Sequence, residues 1–172
     1  MVDENPMRKI RIERVVLNVG GTGDKLERGI ILLGKLSGKK PTRRKATKRI
    51  PTWGVRPNLE VGAMVTLRNE DAEKMILKVL PAIDNTIKAR QLQKNFLSFG
   101  IKEYIEIPSF EYIREVGMMG FEITIVFTRP GRRVALKKTK TGKFGKKQTV
   151  KPEEIEEFMK NKFKTKFTGR KG

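Results

Sequence analysis

Apolar and polar positions alternate at the start of 10–19, where Ile10 and Ile12 interleave with Arg11 and Glu13. The segment then becomes β-branched and apolar through Val15, Val16, Leu17 and Val19. This pattern predicts a strand that ends well buried. Gly20, Gly21 and Gly23 break it, and Asp24 stands where a helix N-cap is expected, with Glu27 completing a capping-box pair. Leu26, Ile30, Leu33 and Leu36 then recur at helical spacing until Ser37-Gly38. The stretch 39–57 is nearly devoid of large aliphatics except Ile50 and Val55, and is punctuated by Pro41, Pro51, Gly54 and Pro57. It predicts a short strand near 44–50 and an exposed loop carrying Trp53. Val61, Ala63, Val65 and Leu67 share one face of the next strand. Asn69 is placed to cap a following helix whose first turn holds Glu70 and Asp71, whose buried stripe is Met75, Ile76, Val79 and Leu80, and whose end Pro81 disturbs.

The second half is less regular. Residues 85–99 read equally as helix or loop. Apolar alternation over 101–107, closed by Pro108, predicts a strand, and 121–127 predicts another after a turn at Gly117 and Gly120. A long basic loop follows Arg129-Pro130-Gly131. Pro152, with Glu153 and Glu154, opens a last helix whose apolar face is Ile155, Phe158, Met159 and Phe163. Strands interleaved irregularly with a few helices predict an α+β fold: a single domain over 1–172, with a largely antiparallel sheet, packed helices and basic projecting loops. Within it, 129–151 reads as a basic extension and 164–172 as a flexible Lys-rich tail. No internal repeat is present.

Charge changes this picture most. The 172 residues carry 39 Lys and Arg against 19 Asp and Glu, a formal net charge of +20. Such self-repulsion opposes folding and points to a polyanionic partner. The excess is concentrated. No acid occurs from Arg28 to Leu59, where Lys39, Lys40, Arg43, Arg44, Lys45, Lys48, Arg49 and Arg56 gather. None occurs from Ile123 to Pro152, which carries Arg132, Arg133 and Lys143 among others, whereas 102–122 is acidic on balance. Trp53 and Phe144, isolated in basic loops, are placed to stack on unpaired bases or to pack as small satellite clusters. These stretches match no zinc finger, RRM, KH or basic-zipper pattern, so charge alone implies RNA or DNA and no more.

Cys and His are absent. Disulfides, thiolate nucleophiles, Cys/His zinc sites and imidazole bases are thereby excluded, and no cofactor is expected. The polar start, 1–11, lacks the apolar stretch of a signal peptide, and no run approaches the ~20 apolar residues of a membrane span, so a cytosolic protein without a membrane partner is expected. Two phosphate-binding motifs fail on chemistry. Gly20-Gly21-Thr22-Gly23 would need Gly where Leu26 stands, and Asp24 brings negative charge to the pyrophosphate position. Gly29 to Leu36 has the glycine and lysine spacing of a Walker A loop but lacks its Ser or Thr and falls inside the predicted helix. Glu103 and Glu106, three apart on a predicted strand, face opposite sides, which weakens any metal-dependent nuclease.

The order of segments carries a resemblance. Asn5-Pro6-Met7, then Ile12 to Gly20, Ser37-Gly38-Lys39-Lys40-Pro41 with the basic run through Ala46, and Trp53-Gly54-Val55-Arg56 follow one another at characteristic spacing. Val61-Gly62-Ala63-Met64-Val65-Thr66-Leu67-Arg68, Phe99 to Glu103 and Gly120 to Ile123 extend the series. Together they resemble the family of large-subunit ribosomal protein five, the universal 5S rRNA binder, whose eukaryotic counterpart is numbered eleven. The resemblance runs from about Asn5 to Phe163, and the Arg129-Pro130-Gly131 turn with its basic extension is similar to the archaeal and eukaryotic branch.

What the resemblance implies is a non-enzymatic constituent of the large subunit that docks on 5S rRNA in the central protuberance. It assigns 5S contacts to Arg14 and Asn18 on the first strand, to Thr66 on the strand that ends at Arg68, itself a candidate RNA contact, and to Trp53, standing where relatives more often have Phe. Lys39, where bacterial relatives tend to have Gln, shifts a contact from amide hydrogen bonding toward phosphate attraction. The family's projecting loop maps to 43–58, with Arg43, Arg44, Lys45, Lys48, Arg49 and Arg56, and would reach peptidyl-site transfer RNA. Lys40 is a further candidate RNA contact, and the second basic zone, 129–147, with Arg132, Arg133 and Lys143, would by the same logic grip ribosomal RNA, with 23S-type rRNA also an implied partner. A neighbouring 5S-binding ribosomal protein is a further implied partner, and no homo-oligomer is expected. The competing expectation is a stand-alone RNA- or DNA-binding chaperone or regulator.

Overall fold

A computed structural model describes residues 5–108, 110–143 and 145–169. Its elements run β1 (Arg11–Gly20), α1 (Asp24–Ser37), β2 (Thr42–Lys45), β3 (Glu60–Leu67), α2 (Asn69–Val79), β4 (Thr86–Lys88), β5 (Leu92–Gln93), β6 (Phe96–Ile101), β7 (Phe121–Thr128), α3 (Arg133–Leu136), α4 (Pro152–Phe163) and β8 (Lys166–Thr168). Six strands form one sheet in the order β2-β3-β1-β7-β6-β5, every pairing antiparallel, and β4 and β8 form a separate parallel pair. The α+β expectation holds.

Strand alternation decides which face is covered. Val15, Leu17 and Val19 of β1, Ala63, Val65 and Leu67 of β3, Ile123, Ile125 and Phe127 of β7, and Leu97 and Phe99 of β6 are all buried. They meet the stripes Leu26, Leu32, Leu33 and Leu36 of α1, Met75, Ile76 and Val79 of α2, and Ile155 and Met159 of α4 in one core. Phe158 of α4 stands edge-on to Phe127, ring centres 5.7 Å apart. At Gly29 of α1 the helix backbone presses on β1: a Cβ there would lie 2.6 Å from Val19 Cγ1. The Walker-like spacing thus sits inside a helix, where its glycine serves close packing.

Several expectations are corrected. Gly23, not Asp24, precedes α1 as its N-cap, and its carbonyl accepts the Leu26 and Glu27 amides; Asp24 and Glu27 stand in the first turn, where their charges favour the helix dipole without capping it. Asn69 makes no side-chain cap for α2, whose N-cap is Arg68. The strand near 44–50 begins earlier, at Thr42, and ends at Lys45, after which the chain closes a hairpin. Residues 85–99 are neither helix nor plain loop but supply β4, β5 and the start of β6, with Asn85 and Asn95 turning the chain at positive φ. The strand placed at 101–107 is really Phe96–Ile101. Beyond it, buried Ile101, Tyr104 and Ile107 recur at a spacing of three because Tyr104–Glu106 is a 3-10 turn. Tyr104 Oη accepts the Ile113 amide at 2.9 Å, and the backbone at Gly120 lies so close that a Cβ would come within 2.5 Å of the Ile101 carbonyl oxygen.

The tail 164–172 includes the strand β8, Lys166–Thr168. Lys164 ends α4 in the left-handed conformation, Thr165 is buried, and Phe167 pairs with Ile87 between β8 and β4. Residues 170–172 lie outside the described residues. The extension after Gly131 contains the single turn α3 and a 3-10 turn at Lys146–Gln148. Among the described residues no helix is long and apolar enough to cross a membrane.

Candidate nucleic-acid interface

Helices cover one side of the sheet and leave the other open. Antiparallel register aligns the open-side residues in rows: Thr66 opposite Val16, which faces Thr124, which faces Ser98; and Met64 opposite Asn18, which faces Glu122, which faces Gly100. Thr42 and Arg44 of β2 extend these rows opposite Met64 and Gly62. Arg14, Val16, Asn18, Arg44, Thr66 and Glu122 line an open concavity of about 630 Å³. Asn18 and Arg44 are exposed, whereas Arg14 and Thr66 are half-buried. The face therefore offers two guanidiniums, an amide and hydroxyls over a partly apolar floor. That mixture suits nucleic acid: cations hold phosphates while neutral groups make directional bonds.

A second feature projects from this sheet. Past Lys45 the Ala46 and Leu59 backbones are joined by a 2.8 Å hydrogen bond, and the Asn58 amide donates to the Ala46 carbonyl at 2.9 Å. Ile50 and Val55 exchange both backbone bonds nearer the tip. Pro51 opens a 3-10 turn ending at Trp53, and Gly54 at φ 64° reverses the chain. This zipped hairpin holds Trp53 out with 78% of its surface exposed, and its Lys48, Arg49 and Arg56 are exposed as well. A positively charged finger with an aromatic tip results. Phe144, the other proposed stacking ring, lies outside the described residues.

The basic residues divide by what they already touch. Arg43 turns to the helix side, donating to Glu60 at 2.7 Å and to Glu27 of α1 at 3.0 Å. The hydrogen bond to Glu60 and the Glu27 charge raise its pKa above the ordinary arginine value. Lys39 pairs with Asp71 at 2.6 Å, and that bond holds the Asp71 carboxyl below the usual carboxylate range. Arg132 is tied to Glu13 across the bulge in β1. Arg129 donates to Glu154 at 2.6 Å and to the Lys147 carbonyl at 3.1 Å, anchoring the basic extension to α4. Lys40, Lys45, Arg68, Arg133 and Lys143 are exposed, and among the described residues they have no ion pair. The structure thus brings Arg14, Asn18, Arg44 and Thr66 into one concavity and Lys48, Arg49, Trp53 and Arg56 onto one finger. It places Lys39, Arg43 and Arg132 in internal bridges.

Sequence reasoning passed over Ser98, Thr124 and Glu122, which share the open face. Alternation in 121–127 marks Glu122 and Thr124 as facing away from the core, but their neighbours follow only from the register. No group of three or more Asp or Glu capable of holding a metal occurs among the described residues.

Comparison with known proteins shows the family of the chain. The model of the family described as ribosomal protein L5 matches residues 5–56, and the C-terminal model of the same ribosomal family matches 60–149. The large ribosomal subunit protein uL5 of Nanoarchaeum equitans is 45% identical over 155 residues, covering 88% of this chain and 92% of that protein. Its counterpart in Sulfurisphaera tokodaii is 40% identical, covering 92% of each chain, and that in Pyrobaculum aerophilum is 38% identical, covering 92% and 90%. The boundary between the two matched models falls beside the hairpin, yet β1 pairs with both β3 and β7, so both matched parts build one sheet.

Proposed function

We propose, for a chain that belongs to the ribosomal L5 family and is a structural, non-enzymatic constituent of the large ribosomal subunit in the cytoplasm, that the open sheet face binds 5S rRNA and helps fix the central protuberance. The observation that carries this reading is the uncovered face itself, where Arg14, Asn18, Arg44 and Thr66 from three neighbouring strands converge on one concavity. Hydrogen bonds from Asn18 and Thr66 fix register on the RNA, and the arginines neutralise phosphates. The hairpin with Trp53 at its tip is the element suited to reach peptidyl-site transfer RNA, since its backbone bonds hold an aromatic ring and three cations well away from the core. The extension carrying Arg133 and Lys143 suits 23S-type rRNA. The neighbouring 5S-binding ribosomal protein belongs to the same reading.

Filter binding of 5S rRNA and transfer RNA to wild type, Asn18→Ala, Thr66→Ala and Lys146→Ala tests it. Wild type selects 5S rRNA, and the two sheet substitutions weaken that binding more than Lys146→Ala, because a single loop lysine contributes one screened charge among many. Equal behaviour of all three variants overturns the sheet assignment. Equal affinity for both RNAs at moderate salt overturns the 5S assignment.

A further inference from the structure

Glu122 is out of character with its surroundings. It is exposed and is the one carboxylate among the described residues lining the concavity of a protein with net charge +20. Other carboxylates near the sheet are held by cations: Glu13 by Arg132, Glu27 and Glu60 by Arg43, Asp71 by Lys39. Glu122 has no ion pair among the described residues; its carboxylate meets a neutral hydroxyl instead. Ser98 Oγ donates to Glu122 Oε1 at 3.1 Å and lies 3.0 Å from Thr124 Oγ1. Its cross-strand neighbours are Asn18 on one side and Gly100 on the other, and Gly20 faces Gly62 in the adjoining row. The surface beside this carboxylate is therefore low, made largely of main chain.

A carboxylate repels phosphate and can only accept hydrogen bonds, so it neither grips a backbone nor suits most base edges. Guanine is the base whose Watson–Crick edge presents two adjacent donors, N1–H and N2–H, next to an acceptor, O6. Adenine and cytosine offer one amino donor beside an acceptor nitrogen, and uracil one N–H between two carbonyls. The fixed carboxylate of Glu122 matches the two donors, and the Asn18 amide across the strand pair can donate to O6. The bare backbone at Gly20 and Gly62 leaves room for a flat ring.

Resting on the reading of the open face as the RNA surface, we infer that Glu122, with Asn18 beside it, is a specificity-determining pair that reads an unpaired guanine of the bound RNA. Ser98 and Thr124 are positioning residues for the carboxylate.

The test uses the full chain and 5S rRNA transcripts with single-stranded loop positions randomised, followed by selection and sequencing. Wild type is expected to enrich guanine at one position and, there, to bind guanosine on the order of tenfold tighter than inosine, which lacks the N2 amino group. Glu122→Ala and Glu122→Thr, the latter keeping strand preference, should lose both the enrichment and the discrimination against inosine. Their affinity for unrelated RNA should rise because a negative charge is gone. Variants that bind every RNA more tightly while keeping the guanine preference reduce Glu122 to a charge and overturn the inference, as does a wild type with no preference. In either case weakened binding by Asn18→Ala and Thr66→Ala leaves the open-face reading standing. If those two substitutions also change nothing, the open-face reading fails and the guanine site fails with it.

Discussion

Gly29→Ala offers a sharp test of how the helix layer holds β1. In an ordinary helix interior, Ala in place of Gly gains about 1 kcal/mol through propensity. Here the new Cβ would lie 2.6 Å from Val19 Cγ1 and 3.3 Å from Val19 Cβ, against a buried β-branched side chain with little rotational freedom. Overpacking of this kind typically costs ~1–3 kcal/mol, and so short an approach belongs at the upper end. The expected net result is destabilisation by about 1–2 kcal/mol in urea unfolding at constant slope. Val19→Ala alone should also destabilise, through the cavity it leaves. The double variant should fall short of the sum of the two losses, because removing the Val19 methyls makes space for the carbon added at Gly29. Val19 lies between Asn18 and Gly20, so Gly29→Ala should also weaken RNA binding beyond what its stability loss explains. A Gly29→Ala protein more stable than wild type, or strict additivity with Val19→Ala, would refute the close packing of α1 on β1.

Two further outcomes follow from the surface. The folded-state pKa of Asp71 is depressed by Lys39, so the pair's contribution to stability is present above the unfolded carboxyl value of about 3.9 and is lost as pH falls through the lower folded value. Carboxyl NMR titration should show the Asp71 midpoint rising to the ordinary range in Lys39→Ala; an unchanged midpoint would discard the pair. Trp53→Ala should leave the melting temperature unchanged, given its 78% exposure, while weakening transfer RNA contact by ~1–3 kcal/mol per stacked base. Because Trp53 is the single tryptophan, quenching of its fluorescence on adding transfer RNA reports the contact directly, and no quenching would sink the stacking role.

Legibility in the sequence tracked the regularity of alternation. The strands at 10–19, 61–67 and 121–127 were readable because an apolar residue stands at every second position: Val15, Leu17 and Val19, then Ala63, Val65 and Leu67, then Ile123, Ile125 and Phe127. This held although Val16, Met64 and Val126 on the open side are apolar too. The strand at Phe96–Ile101 alternates as cleanly, with Leu97, Phe99 and Ile101 in the core and Ser98 and Gly100 on the open side. It straddles, however, the stretch 85–99, which reads equally as helix or loop, and the strand expected at 101–107. The strand expected at 101–107 was misplaced because Ile105 and Ile107 mimic alternation, whereas the buried residues Ile101, Tyr104 and Ile107 recur at a spacing of three about a 3-10 turn. Within 164–172, Phe167 packs against the core through a parallel pairing with β4, a long-range partnership no local pattern announces. At the interface, residue types pointed to Arg14, Asn18 and Thr66 through family resemblance. Which neighbours they meet is a matter of register, and register alone brings Glu122 beside Asn18. Nor could charge counting separate Arg43 and Arg132, held by acids distant in sequence, from Lys48 and Arg49 on the hairpin.

The place of β1 in the middle of the sheet also sets an order of events. Its residues are made early, but they pair with β3 at Val15–Leu67 and with β7 at Arg11–Thr128, so the platform around Asn18 is finished only when chain from far downstream arrives. Contacts of such separation form slowly. The cations between Arg28 and Leu59 attract RNA from the moment they are synthesised. A nascent chain can therefore adhere to RNA before it can choose among RNAs. On the proposed reading of the sheet face, attraction comes first in the life of this protein, and discrimination waits for the closing of the sheet.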